Sequence, residues 1–377
     1  MMVKSMIKKI VFVTNEPAPY RIPIFNKIAE MAGFNLHVIF CCNREPNRHW
    51  NLPPFKFEHT FLRERINTVK GRYIHNNLDV IPTLHRLAPD VIITDGFNPT
   101  HLYAFGYALL RGIPHIPMTD GTLDSEKTLS PVHRMVRRFV YARSRAFVWA
   151  SLGGKRLYES YGILEDRCFR SCLCIDNSIY LADPIQETDE KEFDFIFCGR
   201  IESVKNPLFA LDVALELARR LKRKVSILFV GTGSLEDEVK KTAALHPDLL
   251  EATFNGFAKQ NDLPALYRSA RLFIFPTLWD PWGVVANEAC AAGLPILVTP
   301  HAGVAGELVL DGENGFIRDL DVGVWAERAT LLLTQPDLYR KFSARSRSLV
   351  SRYTFDDASS GIVNACRFAA LDSGVPA

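Results

Sequence analysis

The residues best suited to chemistry lie in one segment, between Asp280 and Gly293. Asp280 and Glu288 are separated by seven residues and bracket a loop that ends at Gly283. An apolar run precedes the loop, and a helix is predicted to begin near Val284 and to stop at Gly293, since glycine commonly ends helices. The free backbone N–H groups and the positive end of this helix suit an anionic diphosphate, and Gly283 allows the ligand to approach the backbone closely.

The two carboxylates of this segment predict contacts to a nucleotide sugar. Glu288 falls about one turn into the helix, on the face of Val284, so its carboxylate can accept two hydrogen bonds from vicinal ribose hydroxyls. Asp280 is expected to accept hydrogen bonds from hydroxyls of the sugar. Taken singly, a turn cap at Asp280 and a dipole-balancing role for Glu288 explain each residue at least as well. Their combination in one loop and helix favours a ligand site.

Two cations occur upstream of this segment. Arg200 follows a predicted strand end at Gly199, and Lys205 precedes a helix predicted to start near Pro207. Two cations at the mouth of a sheet can neutralise a diphosphate leaving group as the glycosidic bond breaks. Without the Asp280 segment, the better interpretation would be an arginine and a lysine on a surface loop.

These two segments together resemble the retaining GT-B glycosyltransferases of the family-four type, the glycosyl transferases group 1, which include bacterial polysaccharide and lipopolysaccharide glycosyltransferases. The stretch DPWGVVANEACAAG, residues 280–293, is similar to the family's signature of an acidic residue, seven others and Glu. The stretch GRIESVKN, residues 199–206, is similar to the family's G-R-x(4)-K-N segment. The family usually has Glu at the first acidic position, so Asp280 has a reach that is one methylene shorter.

The resemblance implies which residues form the site. It gives three catalytic residues, Arg200, Lys205 and Asp280. It gives a donor site formed by Glu288, Gly199, Gly231, Gly233, Gly256, Gly283, Val284 and Val285. It also implies retention of the anomeric configuration, a nucleoside diphosphate sugar as co-substrate, and no metal or other cofactor.

Two further segments fit the same family. Gly231 and Gly233, in VGTGSLEDEV, resemble its strand–G-x-G–helix turn near the nucleotide, and FNGF, residues 254–257, resembles its next strand end. A dinucleotide fingerprint is rejected because Glu236 occupies the place of the third glycine. The stretch GVAGELVLDGENGF resembles the segment after the signature, with Glu307 expected on a helix and Asn314-Gly315 in a turn.

The first half of the chain offers only acceptor-side candidates. Arg21 heads the first predicted helix, where it either touches donor phosphates or acceptor or is a solvated helix-start residue. His101 and Asp120 follow predicted strands, at the sheet edge where ligands bind in such folds. A buried or turn-forming role is the alternative for each of them.

Alternating strand and helix patterns predict an α/β protein with the GT-B fold, two Rossmann-like doubly wound domains facing each other across a cleft. Predicted strands are Lys9–Val13, Asn35–Phe40, Val91–Thr94, His115–Met118, Ala146–Val148, Phe193–Phe197, Val225–Val230, Ala252–Phe254, Leu272–Phe275 and Ile296–Val298. Predicted helices are Ile22–Met31, Leu102–Arg111, Val132–Ala142, Leu152–Tyr161, Pro207–Leu221 and Asn287–Ala292.

The expected domain order follows from a polar stretch, DPIQETDEK at residues 183–191, which reads as a connection. It separates an acceptor-side domain, 1–182, from a nucleotide-sugar-binding domain, 192–355. A C-terminal helix, 356–377, is expected to pack back toward the first domain.

Composition excludes several other classes. Of 377 residues, 47% are hydrophobic and 23% charged, which is ordinary for a globular protein, and a net charge of +3 argues against a nucleic-acid partner. The eight cysteines show no zinc-site spacing. The first residues lack a signal-peptide core and no apolar stretch reaches about 18 residues, so a cytoplasmic location is expected.

One basic amphipathic segment, Arg134–Arg145, interleaves arginines with apolar residues. It is either a solvated helix face or a peripheral contact with anionic lipid on the inner face of the plasma membrane.

The predicted function is therefore a hexosyltransferase-type glycosyltransferase acting on a glycan or lipid-linked acceptor in cell-surface polysaccharide or lipopolysaccharide biosynthesis. A nucleotide-sugar epimerase of the same fold and a non-catalytic sugar-nucleotide-binding protein are the alternatives. The residues leave open the donor base, the sugar and the acceptor.

Overall fold

The computed structural model describes residues 9–46, 52–69, 72–127, 129–181 and 191–371. The described chain forms two compact units, the first reaching Leu173 and including the C-terminal helix from Phe355, the second running from Cys174 to Thr354. The predicted connection, residues 183–191, lies outside the described residues except for Lys191.

The first unit contains a seven-stranded sheet of order β3-β2-β1-β6-β7-β8-β9, in which all pairs are parallel, and a separate antiparallel pair, β4 and β5. Its strands are β1 (Lys9–Thr14), β2 (Asn35–Phe40), β3 (Glu58–Phe61), β4 (Ile66–Val69), β5 (Arg72–His75), β6 (Val91–Thr94), β7 (His115–Thr119), β8 (Phe147–Trp149) and β9 (Cys168–Arg170). Its helices are α1 (Ile22–Glu30), α2 (Val80–Leu87), α3 (Pro99–Arg111), α4 (Leu123–Lys127), α5 (Pro131–Tyr141), α6 (Leu152–Ser160) and, after the second unit, α14 (Phe355–Leu371).

The second unit contains a parallel six-stranded sheet of order β12-β11-β10-β13-β14-β15. Its strands are β10 (Phe193–Cys198), β11 (Val225–Val230), β12 (Leu250–Gly256), β13 (Ala270–Phe275), β14 (Ile296–Val298) and β15 (Gly315–Ile317). Its helices are α7 (Ser178–Leu181), α8 (Pro207–Leu221), α9 (Glu236–Ala244), α10 (Leu263–Arg268), α11 (Val284–Ala291), α12 (Val322–Thr334) and α13 (Pro336–Val350).

The central strands are continuous apolar runs because both faces of a parallel sheet are covered by helices. All six residues of β10 are buried, and the charged Asp194 within it is satisfied by Arg223 and Ser226. One core of the second unit joins the sheet to α8 and α12, with Trp325 fully buried between them. Burial of such side chains stabilises by about 2–3 kcal/mol each.

These sheets confirm the predicted α/β class with two Rossmann-like units. The strands and helices whose bounds were predicted between Lys9 and Val298 are all present, with ends moved by up to three residues. The predicted C-terminal helix, 356–377, is present as α14 up to Leu371, and residues 372–377 lie outside the described residues. The helix predicted at Leu102 begins at Pro99 instead, because proline is accommodated at the first helical position. The prediction that Glu307 lies on a helix was wrong: the residue sits in consecutive turns, in which Val304 O accepts from the N–H groups of Glu307, Leu308 and Val309.

Candidate functional site

The site of the second unit forms where its sheet order reverses. Strands β10 and β13 are neighbours in the middle of the sheet, and the connections from them lead outward in opposite directions. The loops that follow such a pair leave a crevice at the carboxyl ends of the strands. Arg200 and Lys205 follow β10, whereas Asp280 follows β13, so the topology brings the predicted cations and the predicted carboxylate to one edge.

Lys205 and Asp280 are in direct contact. The Lys205 ammonium donates to Asp280 Oδ2, and both side chains are mostly buried, with 17% and 14% of their area exposed. The second carboxylate oxygen, Oδ1, accepts from the backbone N–H of Trp282 at 3.0 Å. Asp280 thus both caps a turn and pairs with the cation, and its predicted contact with sugar hydroxyls stays a prediction.

Backbone hydrogen bonds fix the Lys205 loop against the Asp280 loop. Val204 O accepts from Leu278 N at 2.8 Å and from Thr277 Oγ1 at 3.0 Å. A short 3-10 turn, Ser203–Lys205, leads into α8 through Asn206, which has φ 54°. Lys205 is therefore held on a loop that is bonded to the opposite side of the crevice.

Arg200 differs from Lys205 in its surroundings. It is exposed, and among the described residues its guanidinium has no hydrogen-bond or ion-pair partner. The neighbouring acidic side chain, Glu202, is occupied by the hydroxyl and backbone N–H of Ser234 at 2.6 and 3.0 Å. Arg200 therefore remains available to a ligand at the sheet edge.

The glycines of the three strand ends allow loops to pack backbone to backbone. Gly231 has φ 130°, and a Cβ there would lie 2.0 Å from Gly199 O; a Cβ on Gly233 would lie 2.3 Å from Ile201 O. Gly231 N donates to Gly256 O at 2.8 Å. Glycine is required at Gly231 and Gly233 because the backbones approach this closely there. An added Cβ at Gly199 or Gly256 would meet nothing within 4 Å, but these residues have φ of 144° and 70°. The donor-binding role of the four glycines stays a prediction.

Helix α11 presents its N-terminus at the same edge. Gly283 precedes it with φ 98° and ψ 68°, and a Cβ there would lie 2.5 Å from Phe275 Cε1. No side chain caps the helix start, which opens with Val284 and Val285. Its first backbone N–H groups are available to an anion, as such helix ends provide.

Glu288 occupies the second turn of α11 and is 7% exposed. Its Oε2 accepts from the Tyr267 hydroxyl at 2.9 Å. Burial raises the pKa of Glu288 to about 7, although the hydrogen bond from Tyr267 acts in the opposite direction. The carboxylate is therefore poised to titrate near neutral pH.

Sequence reasoning overlooked the tryptophan inside the signature. Trp282 is 1% exposed, its Nε1 donates to Asn287 Oδ1 at 2.8 Å, and its ring lies 5.5 Å from that of Tyr353. This anchors the loop between Asp280 and α11 to the core. The sequence did contain a signal for this anchor, because Trp282 is an aromatic residue directly beside the glycine at the helix start.

In the first unit, Arg21 and Asp120 form a pair. Arg21 is buried, and its Nη2 donates to both carboxylate oxygens of Asp120 at 2.6 and 2.7 Å, while Nη1 lies 3.2 Å from Met118 Sδ. Burial alone would lower the pKa of Arg21, but the field of Asp120 outweighs it and the pKa is raised. The structure thus brings together two residues that the sequence had suggested separately.

His101 lies beside Asp95, an acidic residue that sequence reasoning missed. His101 Nε2 is 3.4 Å from Asp95 Oδ1, an ion-pair distance without hydrogen-bond geometry, and neither ring nitrogen has a hydrogen-bond partner among the described residues. Asp95 Oδ2 accepts from Thr14 Oγ1 at 2.6 Å. Burial raises the pKa of Asp95, yet His101, Arg21 and Thr14 together lower it.

Three of these polar side chains, Thr14, Asp95 and Asp120, lie at the carboxyl ends of three adjacent strands. Thr14 ends β1, Asp95 follows β6 and Asp120 follows β7, and β1 and β6 are the pair at which this sheet reverses its order. The first unit therefore has its own polar site at its switch point.

The basic helix α5 divides its arginines between two environments. Arg137 is largely buried, pairs with Glu126 at 2.8 Å and lies over the Phe97 ring at 4.2 Å. Arg134 and Arg138 are exposed, beside the exposed apolar side chains of Val132, Met135 and Phe139.

No helix within the described ranges is long and apolar enough to cross a membrane. Across those same residues, no group of three or more His, Cys, Asp or Glu side chains is placed to hold a metal ion.

Comparison with known proteins agrees with this architecture. Residues 181–349 match the family model described as glycosyl transferases group 1. The chain is 31% identical to glycogen synthase from Mycobacterium tuberculosis over 43% of its own length and 38% of that protein. It is 30% identical to spore coat protein SA from Bacillus subtilis over 40% of its length and 42% of that protein. The chain thus spans about two fifths of the length of these curated relatives.

Solved structures share the fold over nearly the whole chain. A glycosyltransferase from Rickettsia africae superposes with a TM-score of 0.72 at 15% identity, covering 97% of this chain and 99% of that one. HepE from Anabaena, in complex with UDP, superposes with a TM-score of 0.71 at 16% identity, covering 94% and 98%. Residues 181–349, most of the second unit, are thus similar to the glycosyl transferases group 1 family, and the chain shares its fold with these solved structures.

Proposed function

We propose that this protein is a glycosyltransferase that moves a hexose-type sugar from a nucleoside diphosphate sugar to a glycan or lipid-linked acceptor. One observation carries the proposal: Lys205, Asp280 and the start of α11 converge at the switch point of the second unit, with Glu288 one turn further along the helix. Cations and free N–H groups suit the diphosphate, and the carboxylate suits the ribose.

The cations act on the leaving group. As the C1–O bond to the diphosphate lengthens, negative charge grows on the phosphate oxygens and an oxocarbenium-like centre forms on the sugar. Arg200, Lys205 and the N-terminus of α11 stabilise that charge without rearranging, which is the main source of rate acceleration in such sites. Because fixed cations and a helix end supply this stabilisation, we expect turnover to be independent of added metal.

The carboxylates position the donor. Glu288 accepts hydrogen bonds from the ribose hydroxyls. Asp280 holds Lys205 in place and orients the sugar hydroxyls. We expect front-face attack by the acceptor hydroxyl, assisted by the leaving phosphate, and hence retention, as the family resemblance implies. Arg21, His101 and Asp120 belong to the acceptor side in this proposal, supported by their position at the switch point of the first unit.

UDP is the first nucleotide to test, because it is the one bound in the HepE structure of the same fold. Thermal unfolding with UDP, GDP and ADP and their sugars should show a rise in midpoint for the true donor, since a ligand that binds only the native state stabilises it. Donor consumption and product anomer are then followed with glycan and lipid-linked acceptors. Product formed without any acceptor would favour an epimerase, and intact donor after long incubation would favour a sugar-nucleotide-binding protein; either result would overturn the proposal.

Cell-surface polysaccharide or lipopolysaccharide synthesis is the proposed context, and α5 the proposed contact with the inner face of the plasma membrane. Its exposed arginines, Arg134 and Arg138, flank exposed apolar side chains, which suits anionic lipid. Flotation with vesicles of phosphatidylglycerol and phosphatidylcholine should decrease when both arginines are replaced by serine. Replacement of the exposed Arg219 and Arg340 of the second unit is the matched control. Equal flotation of all variants would refute the contact.

A further inference from the structure

Tyr267 lies behind the nucleotide-sugar site. It belongs to α10, its side chain is fully buried, and its hydroxyl reaches two acceptors on α11: Glu288 Oε2 at 2.9 Å and Val285 O at 3.3 Å. Its ring packs against those of Tyr180 and Phe273, at 6.2 and 5.8 Å between centroids. The hydroxyl is therefore fixed in place by packing on its own side and faces the carboxylate of the other helix.

A tyrosine hydroxyl has one hydrogen to donate and two lone pairs that accept. When Glu288 is ionised, the hydroxyl donates to Oε2. When Glu288 is protonated, the carboxylic acid can donate to the tyrosine oxygen while the tyrosine hydrogen turns to Val285 O. Both protonation states of the buried carboxyl are then satisfied without a change in side-chain position, which matters because an unsatisfied buried polar group is destabilising.

The groups that face Glu288 contribute little charge. The titratable ones are Tyr267 from α10, Tyr180 from α7 and Cys198 from β10. Among the described residues, no cation acts on the pKa of Glu288, which is set by burial and by the hydrogen bond from Tyr267. Tyr267 is thus the one described side chain that favours the ionised, hydrogen-bond-accepting form.

We propose that Tyr267 is a positioning residue for nucleotide-sugar binding: its hydroxyl holds the Glu288 carboxylate ionised and oriented, so that the remaining oxygen lone pairs accept the ribose hydroxyls. The proposal rests on the ribose-binding role of Glu288 given above. It makes binding of the nucleotide dependent on pH, with affinity rising as Glu288 loses its proton. The hydroxyl of Tyr267, and not only the bulk of its ring, is then required.

The test uses Tyr267→Phe, which keeps the ring and removes the hydroxyl, and isothermal titration calorimetry with UDP from pH 5.5 to 8.5. At pH 7.5 we expect about tenfold weaker binding, as for loss of one hydrogen bond to a charged group. The midpoint of the pH dependence should move to higher pH, because the interaction that favours the carboxylate is gone. Thermal unfolding of the variant checks that it is folded.

Tyr180→Phe is the matched control. Tyr180 is buried beside the same carboxylate but makes no hydrogen bond to it among the described residues, so binding should stay within about twofold of the parent protein. In a Glu288→Gln background, Tyr267→Phe should lose most of its effect and its pH dependence, since contacting residues are coupled.

The outcomes separate the two proposals. If the parent protein binds none of UDP, GDP and ADP, the proposed function fails. If the parent protein binds UDP and a folded Tyr267→Phe variant binds it with the same affinity and the same pH midpoint, the positioning role fails while the proposed function stands. If GDP or ADP binds in place of UDP, the proposed function stands, and an unchanged affinity and pH midpoint for that nucleotide in the Tyr267→Phe variant overturns the positioning role.

Discussion

Replacement of Lys205 by alanine tests whether the Lys205–Asp280 pair serves catalysis or only stability. The change removes the ammonium that donates to Asp280 and, in the proposed mechanism, to the diphosphate. Loss of one preorganised donor to the transition state costs about 2.7–4 kcal/mol, so kcat should fall by about 10²–10³-fold. The assay is initial-rate release of the nucleoside diphosphate at saturating donor.

The same variant also leaves Asp280 without its cation in a site where only 14% of that side chain is exposed. We expect a loss of about 1–3 kcal/mol in the free energy of unfolding, since an uncompensated carboxylate is costly but this one keeps its bond from Trp282 N. In the double variant with Asp280→Asn the unfolding free energy should largely recover, whereas kcat should not. The double variant therefore separates the effect of Lys205 on the free energy of unfolding from its effect on kcat.

Arg200→Ala provides the complementary case. The Arg200 side chain is exposed and has no partner among the described residues, so the free energy of unfolding of the variant should differ from that of the parent protein by less than about 0.5 kcal/mol. Its kcat should nevertheless fall by about 10²–10³-fold. Arg219→Ala, in the last turn of α8 and away from the site, is the control for a lost surface arginine. Turnover near that of the parent protein in both Lys205→Ala and Arg200→Ala would refute the leaving-group role.

Three further predictions concern stability and are measured by urea unfolding. Gly231→Ala should lower the free energy of unfolding by more than about 2 kcal/mol, because its φ is 130° and the new Cβ would lie 2.0 Å from a carbonyl oxygen. Glu288→Gln should raise it at pH 8 by up to about 3 kcal/mol and change little below pH 4.5, because the folded-state pKa of about 7 exceeds that of the unfolded chain and stability is lost as pH rises through it. Asp120→Asn should lower it by about 1–3 kcal/mol, since Arg21 keeps its charge while buried.

Gly231→Ala and Asp120→Asn each have a control in the same chain, and the Glu288→Gln effect is checked by its pH dependence. Gly312→Ala shares a positive φ of 75° but meets no atom within 4 Å, so it should cost only about 1 kcal/mol. Asp124→Asn removes an exposed pair with Lys127 and should change stability by less than about 1 kcal/mol. Equal losses in Gly231→Ala and Gly312→Ala would contradict the close-approach argument, and a pH-independent Glu288→Gln effect would contradict the linkage argument.

Local patterns in the sequence sufficed for most of the elements that position the site. The strand before Gly199 and the helix after Gly283 are set by continuous apolar runs and by glycine and proline at the ends, all of which act over a few residues. Five strands, β3, β4, β5, β9 and β15, were missed because each has only three or four residues and its pairing partners decide whether it forms. Glu307 was wrongly placed on a helix for a related reason. The apolar residues of a turn-rich segment have no regular spacing from which a helix or strand could be predicted.

Residue types and spacing in the sequence determined which groups are predicted to form the donor site, because a glycine-flanked helix start, two cations and two carboxylates in this order serve few chemistries. Only the tertiary structure decided which of these side chains are in contact. It pairs Lys205 with Asp280, places Tyr267 on Glu288, and joins Arg21 to Asp120 across 99 positions of the chain. These contacts depend on sheet order and on loops that meet at a sheet edge, and such long-range packing leaves no local pattern in the sequence from which it could be read.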